Sequence, residues 1–155
     1  MNFKERPRRL RSSAAIRDLV QEHSITAFDL IWPVFLQEGQ AKRDGISSLP
    51  GTFCLSIDQA VKEASQLYKM GLKAVALFPR IDESLKDHQA REAVNTKGLV
   101  PRAIREFKRA LPELLIITDV ALDPYSSDGH DGLVKNGVIL NDESLLVLAE
   151  KALML

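Results

Sequence analysis

With 155 residues, 45% of them hydrophobic and 27% charged, the chain is long enough for one domain with a real core and too apolar for a disordered segment. Its 21 Lys and Arg balance 21 Asp and Glu, so no overall field draws it to nucleic acid or to an anionic membrane. No apolar run approaches the length of a bilayer span, no apolar segment follows the basic N-terminus as in a secretory signal, and the single cysteine, Cys54, has no partner for an internal disulfide, which fits a reducing cytoplasmic compartment.

Residues 1–11 (MNFKERPRRLR) read as a basic N-terminal arm with too little apolar content to fold alone. A cluster of this size on a neutral chain reads as a solvated tail rather than an RNA or lipid site. The domain proper is expected over 12–155. Ser12–Glu22 begins with serine and carries Ile16, Leu19 and Val20 on one side, a short helix. The apolar, β-branched and aromatic stretch Phe28–Leu36 reads as a strand buried on both faces, with Pro33 demanding an edge or bulge. Glycines and a proline punctuate Gln37–Thr52 as loop. Ser56–Met70 repeats Ala60, Val61, Ala64, Leu67 and Tyr68 at helical spacing and ends at Gly71. Lys73–Phe78 is a second buried strand, Pro79–Gly98 a polar and mobile connection, and Pro101–Ala110 a helix with proline in its first turn. Leu114–Val120 is a third strand. Asn136-Gly137 signals a small hairpin, and Asn141–Leu155 is a final helix capped by Asn141 or Asp142.

Alternation of three buried strands with helices implies a parallel sheet covered by helices. Strands recur roughly every 40 residues, which fits either an open doubly wound sheet or a (β/α)₈ barrel. No G-x-G-x-x-G or Walker motif follows any strand, which weakens the nucleotide-binding sheet. Eight such units need about 300 residues, so this chain would hold the first three and a half of a barrel. Leu145, Leu146, Leu148, Ala149, Ala152, Leu153 and Leu155 give the last helix an apolar face that still runs where the sequence stops. A truncated barrel and a docked C-terminal helix account for that face equally.

The stretch with chemical content is Thr118–Gly132, TDVALDPYSSDGHDG. Asp119, Asp123, Asp128, Asp131 and His130 fall within thirteen residues, beginning at the exit of a buried strand, the end where parallel α/β folds bind ligands. A partly buried Asp119 would cost several kcal/mol unless paired or coordinated. Asp and Gly are also ordinary turn formers, so a solvated, self-capping loop accounts for the same residues.

The run DVALDPYSSDGHDG, with LLIITDV leading into it, resembles the metal loop of 5-aminolevulinate dehydratases (porphobilinogen synthases). The resemblance continues through RPRRLR, DLIWPVF, SLPG, KAVALFP and NGVILNDES, from Arg6 to the end. It implies an α/β fold of the (β/α)₈ TIM-barrel class, of which this chain holds roughly the first half. It also implies an N-terminal arm that embraces a neighbouring subunit in a homo-octamer. The activity implied is condensation of two molecules of 5-aminolevulinate to porphobilinogen through Schiff bases on two lysines. Those lysines belong to later strands, beyond Leu155, so no catalytic residue is expected in this chain; Lys73, Lys97 and Lys135 read as surface lysines. Zinc-dependent members carry cysteines at positions matching Ala121, Asp123 and Asp131. Carboxylates there exclude a cysteine-type zinc site and leave Mg²⁺ (with Asp123 and Asp131 as its ligands) or no active-site metal. By the same matching, Asp119 and Asp131 face the substrate and Asp123 supports them. Asp128 stands where the family often has histidine, and its role is open. A rival reading is a non-catalytic metal-binding or assembly module; another Schiff-base barrel enzyme, such as an aldolase, leaves the aspartate loop unexplained.

Overall fold

The computed structural model describes residues 8–155, so the first seven residues of the expected arm lie outside the described residues. Arg9–Arg11 forms one exposed 3₁₀ turn. Helix α1 spans Ala14–Leu19, capped by the Ser13 hydroxyl, which accepts from the Ile16 amide at 3.2 Å. Ser12, expected to open this helix, instead donates to the Arg9 carbonyl. Nothing in α1 is buried: Leu19 and Ile25 are each 83% exposed and Phe28 67%. The segment before the sheet therefore finds no core of its own.

At Ala27–Asp29 a second 3₁₀ turn is closed by Asp29, whose carboxylate accepts from the Thr26 amide and hydroxyl, both at 2.8 Å. That cap holds Phe28 out of the sheet, and strand β1 runs only over Ile31–Leu36. The expected loop Gln37–Thr52 contains one short strand, β2 (Arg43–Gly45), which pairs antiparallel with a second, β3 (Phe53–Leu55), just after it. Helix α2 (Ile57–Lys69), β4 (Ala74–Pro79), helix α3 (Leu99–Ala110) and β5 (Leu115–Thr118) follow. Strand order is β2-β3-β1-β4-β5, parallel throughout except for β2. The register pairs Ile31 with Ala74 and Ala74 with Leu115, so β1, β4 and β5 start level and exit at one rim.

Pro33 sits inside this sheet without breaking it. Its absent N–H points toward β3, which begins pairing only at Phe35, so β1 is locally an edge there. The strands were expected to be buried on both faces, and the structure corrects this. Val34, Leu36, Val75 and Leu77 pack against Ala60 and Ala64 of α2 and Ala103 and Phe107 of α3, all at 1% exposure or less. The opposite face carries Ile31 (53% exposed), Phe78 (38%), Leu115 (58%) and Ile117 (38%), because both helices lie on one side. A barrel interior has this composition, and among the described residues it has no opposing strands to close on. The described residues hold three parallel βα units.

Val134–Lys135 and Val138–Ile139 form the hairpin strands β6 and β7 around Asn136 and Gly137, both at positive φ (53° and 76°) as a type I′ turn requires. Helix α4 spans Asn141–Met154 with Leu140 at the cap position, so neither Asn141 nor Asp142 caps it. Of the apolar face foreseen for it, Leu148 turns inward and three other leucines turn outward: Leu145 is 55% exposed, Leu146 73% and Leu153 91%. Ser144 and Lys151 are the buried residues, with Val147 and Leu148 packed against the core. Hydrogen bonding decides this orientation, since the Ser144 hydroxyl accepts from the Leu133 amide at 2.9 Å and donates to the Leu140 carbonyl. The bare apolar sheet face predicts that the 155-residue polypeptide, made alone, elutes from size-exclusion chromatography as oligomers or aggregates. A monodisperse monomer that unfolds cooperatively would contradict the bare-face account.

Candidate active site

The chain leaves β5 at Thr118 and enters the aspartate loop at the rim where β1 and β4 also end. Buried Ala121, Leu122 and Tyr125 pin the loop to the domain. The Tyr125 and Ser126 amides both donate to the Leu122 carbonyl at 2.9 Å, forming one tight turn. Across the loop, the Leu122 amide donates to the Asp131 carboxylate at 2.6 Å. Gly132 then passes so near the hairpin and α4 that a β-carbon would lie 2.7 Å from the Ile139 methyl and 3.1 Å from the Ser144 hydroxyl. Only glycine fits there.

Asp119, Asp123, Asp131 and His130 are exposed, and Asp128 is half-buried. Asp119 was expected to be partly buried, and the structure corrects this: β5 is the outermost strand, and among the described residues nothing covers Asp119 at its exit. Among the described residues, Asp131 is the only one of Asp119, Asp123 and Asp131 with a side-chain hydrogen bond. No three His, Cys, Asp or Glu groups among the described residues converge to hold a metal ion. The donor set around Asp123 and Asp131 therefore does not close on an ion, and no chemical step is routed through one.

A buried charge does exist at the loop, on a residue the sequence did not single out. Lys151 of α4 is 2% exposed, and its ammonium donates to the Ala121 carbonyl at 2.6 Å. It also stands 4.5 Å from the centroid of the Tyr125 ring. Burial pushes the Lys151 amine below the ordinary lysine value, while Asp119, Asp123 and Asp131 pull it back up. The Tyr125 phenol is driven well above its usual value, first by burial and then by Glu92, Asp119 and Asp123. The legible signal was position: Lys151 lies seven residues after Ser144, two turns along the same helix face.

Pro79–Gly98, expected to be mobile, packs against the loop. Ile81, Ala90 and Ala93 are buried. The Asp87 amide donates to the Tyr125 carbonyl at 3.3 Å and the Ser127 amide to the Asp87 carbonyl at 3.2 Å, as parallel strands do. The Arg91 guanidinium, 2.7 Å from the Asp87 carboxylate, holds that carboxyl below its usual range. Next to it, the His88 ring nitrogen lies 2.9 Å from Asp128, which gives Asp128 a structural role as the clasp between the two loops. An open cleft of about 530 Å³ lies beside them, lined by Gln37, Lys42, Arg80, Asp82, Lys86 and Pro124 among others. Of the aspartate loop only Pro124 reaches it.

The Asp128 carboxylate raises the His88 pKa above the ordinary histidine value. A raised folded-state pKa stabilises the protein below the unfolded value, near 6.5, and that contribution is lost as pH rises through the raised value. Thermal melts should therefore show the protein losing stability relative to His88→Ala as pH rises above about 6.5. Parallel pH curves for the two would sink the clasp.

The model of the delta-aminolevulinic acid dehydratase family matches residues 4–155. The delta-aminolevulinic acid dehydratase of Bradyrhizobium diazoefficiens is 48% identical over 149 residues, covering 96% of this chain and 42% of that protein. That of Chlamydia pneumoniae is 44% identical over 98% of this chain and 46% of its own length. A crystal structure of the Toxoplasma gondii enzyme, in complex with the reaction product porphobilinogen, superposes with a TM-score of 0.89 at 42% identity, over 98% of this chain and 44% of that one. The chain thus spans less than half the length of each of these relatives.

Proposed function

Because the chain belongs to the delta-aminolevulinic acid dehydratase family, we propose that it forms the first part of a porphobilinogen synthase barrel, which condenses two molecules of 5-aminolevulinate with loss of water in tetrapyrrole and haem biosynthesis. One observation carries the reading: the matched sequence places its carboxylate loop at the exit of a parallel strand, on the rim where barrel enzymes bind substrate.

In this reading Asp119 and Asp131 meet the substrate amino group or the water it displaces, and Asp123 supports them. Their exposure fits a wall facing a cavity that further strands would enclose. Schiff bases need an amine that a ketone can reach. Lys73, Lys97 and Lys135 are solvent-exposed away from the loop contacts, and Lys151 is sealed behind the loop. The reacting lysines are therefore assigned outside residues 1–155, and this segment alone makes no porphobilinogen. Carboxylates in the loop suit Mg²⁺ better than zinc, but the unconverged positions of Asp123 and Asp131 favour a loop that works without an ion of its own. No helix among the described residues is long and apolar enough to cross a membrane, and the free thiol of Cys54 suits the cytoplasm. The exposed Leu19, Ile25 and Phe28 behind the basic arm support docking on a second copy, toward the octamer.

The test uses the longer polypeptide that this reading requires. It should form the pyrrole product from 5-aminolevulinate, and borohydride should trap substrate on lysines outside residues 1–155. Asp119→Asn and Asp131→Asn should each lower kcat/KM by about 10²-fold or more. Activity from the 155 residues alone, or none from the longer protein, would favour the non-catalytic assembly module instead.

A further inference from the structure

The deepest charge in the described chain belongs to Lys151, which reaches from α4 into the back of the aspartate loop and is 2% exposed. An ammonium has three donors. Here one is taken by the Ala121 carbonyl at 2.6 Å, and the Tyr125 ring face lies 4.5 Å away. Among the described residues no carboxylate comes within the 4.0 Å of a direct ion pair with it. A charge in that position is costly, and a hydrophobic side chain of the same length would pack there more cheaply. The carboxylates whose field reaches it are those of Asp119, Asp123 and Asp131.

The anchoring is reciprocal. Lys151 holds the carbonyl of Ala121, and Asp131 holds the amide of the next residue, Leu122. A cation from the helix and an anion from the loop's far end thus grip the two ends of one peptide group, that between Ala121 and Leu122, and the turn at Leu122–Tyr125 is built on that grip. We infer that Lys151 is the fixed cation of the aspartate loop, a positioning residue whose ammonium balances Asp119, Asp123 and Asp131 from behind and takes the place of a bound divalent ion. The charge arrives with folding rather than from solution. This inference rests on the loop's geometry and does not depend on the condensation reading.

The experiment measures the intact protein's Tm against Mg²⁺, with KCl at equal ionic strength as the screening control. Wild type should show no saturable Mg²⁺ response that Asp123→Asn removes. Lys151→Gln keeps a donor for Ala121 but removes the charge, and should gain a Mg²⁺-dependent rise of about 3 °C or more. Adding Asp123→Asn should abolish that rise, and Lys151→Arg should behave as wild type. Tm without Mg²⁺ is a poor readout, because removing a buried charge can stabilise a fold while destroying its role. A Lys151→Gln protein indifferent to Mg²⁺ would overturn the inference. So would a saturable Mg²⁺ stabilisation of wild type that Asp123→Asn removes, and that arm needs no change at Lys151. Porphobilinogen formation is scored separately, so a failure of the proposed activity leaves this readout intact.

Discussion

The parallel register across β1, β4 and β5 is the constraint on which the rest of the structure depends. Because Ile31, Ala74 and Leu115 start level, Leu36, Pro79 and Thr118 deliver the following loops to one rim. The side chains alternate accordingly. One set (Val34, Leu36, Val75, Leu77) meets the helices, and the other (Ile31, Phe78, Leu115, Ile117) is left as apolar wall without an opposing layer. The same ladder therefore gives both the stability of the outer layer and the incompleteness of the inner one. Fully burying one large apolar side chain is worth about 2 kcal/mol, so the bare face is a substantial incentive to find a partner surface.

The rim is organised by polar contacts between chemically different segments. The loop after β4 clasps the loop after β5 through Asp87 with Tyr125 and Ser127, and through His88 with Asp128. The last helix braces the loop after β5 through Ser144 and Lys151. The loop is thus braced both by the loop beside it and by the last helix, so the carboxylates are displayed on a held frame, although they are themselves exposed. Preorganisation of this kind is what a binding site requires of its scaffold.

Much of the frame was legible in the sequence because it depends on local rules. Ala60 and Ala64 at helical spacing, the apolar runs at Lys73–Phe78 and Leu114–Val120, and Asn136-Gly137 each signal one structure, and each forms it. Elements decided by longer-range contacts were not legible. Phe28 is a local exception: it looks like a strand residue, but the Thr26–Asp29 cap takes it out of the ladder. Arg43–Gly45 carries no strand pattern and is recruited by pairing with Phe53–Leu55. In α4 the apolar count pointed to the leucines, while the hydrogen bonds of Ser144 and Lys151 turned the opposite side inward. At the site, the aspartates were conspicuous by composition, whereas their buried counter-charge came from a lysine twenty residues beyond Asp131, visible only once helix and loop are docked.

The central claim is that the carboxylate loop is a fixed part of the sheet's rim. Native-state hydrogen exchange resolved to single amides in the intact protein tests it most directly. The Leu122 amide, held by Asp131, and the Tyr125 and Ser126 amides, held by the Leu122 carbonyl, should be protected to a level near that of the β4–β5 ladder. Exchange of these three amides at the rate of an unstructured chain, while the ladder stays protected, would contradict it.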